Sequence, residues 1–126
     1  MFDGVLRRLF GRLPVPFSVT ADDEDAQLWY KTTQVYVAGI RRSCAERLEE
    51  SRDEGARGFR IEAERGAEIV RTRRGAGERV GASEDLLAEM ERAETLLNEA
   101  ADGYADEDLF DSLRSVEETL AEECPR

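Results

Sequence analysis

Residues 28–40 read LWYKTTQVYVAGI, and the fold turns on them. β-Branched and aromatic side chains crowd this stretch, which is strand chemistry. Its flanks are helical in character. Upstream, Thr20 precedes Ala21-Asp22-Asp23-Glu24-Asp25, a cap followed by acids that suit the positive end of a helix dipole. Downstream, RRSCAERLEESRDEG (41–55) holds strong helix formers. Trp29, Thr33, Tyr36, Ile40, Cys44 and Leu48 recur at spacings of three or four, with Leu28, Val35 and Val37 widening the stripe. The pattern predicts one long helix over 21–54. The competing reading is a strand at 28–40.

The next segment divides the same two readings. In GFRIEAERGAEIVRTRR (58–74), Phe59, Ala63, Gly66/Ala67 and Val70 line up at helical spacing. Phe59, Ile61 and Ala63 also alternate as a hairpin would, with Arg65-Gly66 near the turn. Six of the ten glycines fall between 55 and 81, so Gly55 and Gly58 are expected to break the first helix, and RRGAGERVGAS (73–83) reads as a loop.

The C-terminal part is plainer. Ser83 caps a helix with Glu84 and Asp85 in its first turn. Leu86/Leu87, Met90, Ala93, Leu97 and Ala101 form its stripe, and Gly103 suits the left-handed stop. A second helix over about 106–123 carries Leu109, Leu113, Val116 and Leu120 on one face, with Phe110 beside them. A short loop between them makes an antiparallel hairpin. The expected fold is all-α, a small helical bundle with a C-terminal antiparallel helix hairpin. The alternative is α+β, with a strand at 28–40 and a hairpin at 59–74.

At the other end, FDGVLRRLFGRL (2–13) puts Phe2, Val5, Leu6, Leu9, Phe10 and Leu13 on one helical face. Arg7 and Arg8 lie opposite, and Arg12 borders the stripe. Pro14 and Pro16 end it. Three parts result: an amphipathic N-terminal helix at 1–13, a proline-containing linker at 14–20, and an acidic helical domain at 21–126 with a Gly/Arg-rich segment at 55–82. A chain of 126 residues can hold one core without metal or disulfide help.

Net charge is −11 and uneven. Residues 83–126 carry three Arg against fifteen acids, net −12, while 56–82 carry seven Arg against four Glu, net +3. An acidic half repels nucleic-acid phosphate, so a nucleic acid is not the expected partner. RTRRGAGERVG (71–81) has four Arg but no interleaved aromatic for base stacking, and its arginines are expected to pair within the chain.

Chemistry is sparse. There is no His, so the commonest general base and metal ligand is missing. Cys44 and Cys124 are eighty positions apart, which is no zinc or redox spacing, and free thiols are expected. The acids at 22–25 read as helix caps, and the Asp102–Asp111 region lacks the calcium-loop order. No phosphate-loop or dinucleotide signature is present, and no cofactor, metal or catalysis is expected.

The sharpest functional pattern is residues 1–13. A basic amphipathic helix ahead of a proline linker docks in a partner's groove, rests on an anionic membrane, or packs on its own domain. Its docking residues are Phe2, Val5, Leu6, Arg7, Arg8, Leu9, Phe10, Arg12 and Leu13. No stretch reaches the roughly 18 apolar residues of a spanning helix, and no export signal is read, so a cytoplasmic, membrane-associable protein is expected. The expected function is a non-catalytic interaction factor: an adaptor, chaperone-like factor or assembly subunit. Protein partners or self-association come first. A peripheral membrane factor and an acidic protein that fills a basic or nucleic-acid-binding site on a partner are the alternatives.

Overall fold

The computed structural model describes residues 23–49, 52–104 and 108–125. The expected helix and docking residues at 1–13, the linker, and the Thr20 cap lie outside them. Four helices make up the described chain: α1 (Asp23–Glu49), α2 (Arg52–Val80), α3 (Glu84–Ala101) and α4 (Asp108–Glu123). No strand is present among the described residues. The α+β alternative is therefore corrected, because both 28–40 and 59–74 are helical. Burial of a 3.6-period stripe on both sides of a helix pair overrides the strand propensity of LWYKTTQVYVAGI.

The topology is up-down-up-down. Each helix packs on its neighbours in sequence, and α1 also packs on α4, which closes the ring. Cross-helix bonds fix the directions. The start of α1 meets the chain end, where Gln27 Nε2 donates to the Pro125 carbonyl at 3.1 Å. The start of α2 meets the end of α3, where Arg60 Nε donates to the Ala101 carbonyl at 3.0 Å and satisfies a terminal acceptor. The core runs down the axis through Val37, Ile40, Cys44, Val70, Leu86, Met90, Leu97, Leu109, Leu113 and Leu120.

The hairpin signals act as read. Ser83 Oγ accepts from the Leu86 amide at 3.1 Å. Gly103, at φ 97°, ends α3; the Tyr104 amide reaches the Glu99 carbonyl at 2.9 Å and the Gly103 amide that of Ala100 at 3.0 Å.

The glycine-rich middle is the main correction. Gly55 and Gly58 do not break a helix but lie inside α2, and 73–80, read as loop, is its last two turns. The single helix expected over 21–54 ends at Glu49, and Arg52 already belongs to the next. Only Gly81 stops α2; its φ is 84°, and the Ala82 amide closes on the Gly77 carbonyl at 2.9 Å. The interior glycines serve close approach. A Cβ on Gly58 would stand 2.8 Å from Arg47 Cδ, on Gly66 2.8 Å from Ile40 Cγ2, and on Gly77 2.5 Å from a Trp29 ring carbon. Large residues of α1 thus sit on missing side chains of α2. The stripe on α1 is also corrected: its last member, Leu48, and Val35 of its widening face solvent, being 52% and 55% exposed.

Gly75 differs from Gly77, two residues on, since nothing lies within 4 Å of its Cβ position. Gly75→Ala is expected to stabilise by about 0.5–1 kcal/mol, because alanine relieves the entropy cost of a helical glycine. Gly77→Ala drives a methyl into the Trp29 ring and is expected to destabilise by about 1–3 kcal/mol despite the same propensity gain. Urea denaturation of the two variants checks the opposite signs.

Candidate functional site

The stripe that faces α3 and α4 inward also fixes which acids point outward. Glu84, Asp85, Glu91, Glu99 and Asp102 are exposed on and after α3, and Asp108, Asp111, Glu118 and Glu122 on α4. Exposed basic residues on the same hairpin are Arg92 and Arg114, so nine acids face solvent against two cations among the described side chains. Among the described side chains of α1 and α2 the exposed groups number six basic against five acidic. Charge is therefore sorted by side, with one acidic face on the α3–α4 hairpin.

The sorting follows from which acids the arginines reach. Arg41 of α1 grips Glu117 of α4 with two bonds, Nε to Oε2 and Nη2 to Oε1, the latter 3.1 Å. That hydrogen bond raises the Arg41 guanidinium above its ordinary value, with desolvation opposing it. Arg74 of α2 lies 2.8 Å from Glu94 of α3. Both partners are half-buried carboxylates at helix seams, where an ion pair is less screened by solvent. Arg41 and Arg74 thus pair with the seam acids Glu117 and Glu94.

The outer face holds an open cleft of about 260 Å³ lined by Glu89, Arg92, Asp108, Asp111, Ser112 and Ser115. Glu89 Oε2 accepts from Thr119 Oγ1 at 2.9 Å and Ser115 Oγ at 3.2 Å, which fixes its carboxylate against α4. Arg92 approaches Asp108 at 3.8 Å. Such a lining suits a cationic or hydrogen-bonding side chain rather than an apolar ligand.

The Arg-rich stretch at 71–81 is half spent inside the fold. Arg73 is buried, Arg74 is paired, and Arg71 and Arg79 are exposed. Sequence reading missed the Arg73 site, where the guanidinium lies 5.9 Å from the Trp29 ring centre and 5.7 Å from that of Tyr36. A charged residue at a core position carries no local signal.

Both cysteines are free. Cys44 is fully buried, as its place on the stripe predicted; Cys124 is half-buried, its thiol 3.7 Å from the Pro125 carbonyl. Burial, with the Glu62 charge added, pushes the Cys44 thiol up to about 12 from 9.0. A thiol harder to ionise folded than unfolded lends stability below pH 9 that is lost as pH rises toward 12. Burial raises Tyr30 and Tyr36 as well, so they act in the same sense above pH 10. Cys44→Ala is expected to flatten the fall in stability between pH 9 and 10, read as urea midpoints across that range.

No group of three or more Cys, Asp or Glu is arranged to hold a metal among the described residues. None of the four helices is long and apolar enough to cross a membrane. The fold and this face define a four-helix bundle with one acidic side. No family model, curated protein or solved structure matches the chain.

Proposed function

We propose that the protein is a non-catalytic interaction module that presents the outer α3–α4 face to a basic surface on a partner protein. The observation that carries this reading is the nine-to-two excess of exposed acids there among the described side chains, against five acids and six cations among those described on α1 and α2. Complementary charge steers encounter and selects partners. A partner's nucleic-acid-binding groove is one basic surface of this kind. Residues 1–13 supply the second contact, with Phe2, Leu6, Leu9 and Leu13 in an apolar groove, Arg12 at its rim and Arg7 and Arg8 on the far side. A cytoplasmic setting goes with this reading.

The test is capture of native partners by the full chain, compared with a triple variant Glu91→Lys, Glu118→Lys, Glu122→Lys and with a chain lacking residues 1–13. The acidic-face reading expects the captured protein to be lost with the triple variant and to weaken with salt. A partner retained equally by the reversed face overturns it. The second reading, residues 1–13 on an anionic membrane, is favoured by the three arginines beside the apolar stripe. It expects flotation with anionic vesicles that disappears on truncation and with salt, whereas Leu6→Asp and Leu9→Asp abolish groove binding with less salt dependence.

A further inference from the structure

Glu62 occupies a position on α2 where a helix pair ordinarily buries an apolar residue. It shares a helix face with Gly58 and Gly66, four residues to either side, and is 6% exposed. Its Oε1 lies 3.9 Å from Arg65 Nη1, beyond hydrogen-bond reach, and its Oε2 has no hydrogen-bond partner. Across the seam is Cys44, fully buried and lying between Ile40 and Arg47, the residues that sit on Gly66 and Gly58. A buried carboxylate oxygen without a donor loses hydration and gains nothing, so opening to water is favourable for it.

The surroundings hold this seam weakly. Gly58 and Gly66 give α2 little intrinsic helix preference on either side of Glu62. Leu48 and Ile61 at the seam's outer edge are 52% and 42% exposed, so that edge has little apolar cover. The far end of the same helix pair carries an added tie: Trp29 packs on Gly77 as Ile40 does on Gly66, and its Nε1 also donates to the Arg73 carbonyl at 2.9 Å.

We propose that the α1–α2 seam opens at Cys44 and Glu62 ahead of the rest of the bundle, a conformational device that uncovers a thiol and the apolar strip around Ala63 while the α3–α4 hairpin stays folded. Opening of this kind is a sub-global step, with a lower free energy and less newly exposed surface than complete unfolding.

Cys44 is its own reporter. In the full chain carrying Cys124→Ser, an uncharged methanethiosulfonate at about pH 8 reads each opening as a labelling event. Labelling is expected at least about tenfold faster than global unfolding allows, with a shallow dependence on urea that steepens only near the global transition. Glu62→Gln and Glu62→Met, one keeping the shape and one filling the seam with an apolar chain, are each expected to slow labelling about tenfold or more. Labelling that follows global unfolding at every urea concentration overturns the proposal. So does an unchanged rate in both Glu62 variants.

Discussion

Leu97→Ala and Leu113→Ala are each expected to destabilise the bundle by roughly 2–5 kcal/mol. Both side chains are fully buried, one on α3 and one on α4, and both belong to the shared core. Leu97 also reaches the third helix. Its Cδ2 lies 3.4 Å from the Cβ position that Gly66 leaves empty, beside Ile40 of α1. Truncation there removes contacts to α2 and leaves a void that stiff neighbours cannot close, which puts Leu97 at the upper end of the range. Net stability of a domain is about 5–15 kcal/mol, so either loss is a large share of it. Urea unfolding with unchanged slope and lowered midpoint is the expected record. Two neutral variants would show that the stripes of α3 and α4 do not face inward, and the outward row of acids would lose its basis with them.

The legibility of this chain differs along its length for physical reasons. The hairpin was readable because its leucines, its Ser83 cap and its Gly103 stop all act within one or two turns of themselves. Helix over 28–40 was readable only from its flanks, since its own residues suit a strand. α2 was misread because glycine has two opposed uses. At Gly81 it supplies a positive φ; at Gly66 and Gly77 it makes room for Ile40 and Trp29, which lie on another helix and far away in sequence. No local window contains that contact. The acidic side was legible as a charge total, and the helix phase then showed which acids face out. Residues 1–13, the sharpest pattern in the sequence, fall outside the described structure, so their docking rests on the stripe itself.

Arg73→Ala is expected to cost roughly 2–5 kcal/mol, as much as a core leucine, although the residue lost is charged. Arg73 is 7% exposed, and burial lowers its guanidinium below the usual arginine range while the Tyr36 charge opposes that. The cation is compensated by shape and dipoles. Its Nε donates to Thr33 Oγ1 at 3.0 Å, its Nη2 approaches the Trp29 carbonyl at 3.3 Å, and its plane lies near both aromatic rings. Truncation empties the slot between Trp29 and Tyr36 and removes the donors to Thr33 Oγ1 and the Trp29 carbonyl. Arg73→Met separates packing from charge. Methionine refills the slot, the buried cation is gone, and Thr33 can turn its hydroxyl to the carbonyl four residues back, that of Trp29. Its cost is expected to be smaller, about 1–2 kcal/mol. Arg73→Lys is expected to fall between the two, because an ammonium keeps the charge but loses the flat fork that fits between rings. Trp29 reports the same event optically. It is 3% exposed, so its emission is expected at short wavelength in the intact protein and shifted to longer wavelength in Arg73→Ala, with Arg73→Met near the original. Equal losses for Ala and Met would assign the stability to the charge and its hydrogen bonds, and a neutral Arg73→Ala would remove the guanidinium from the slot altogether.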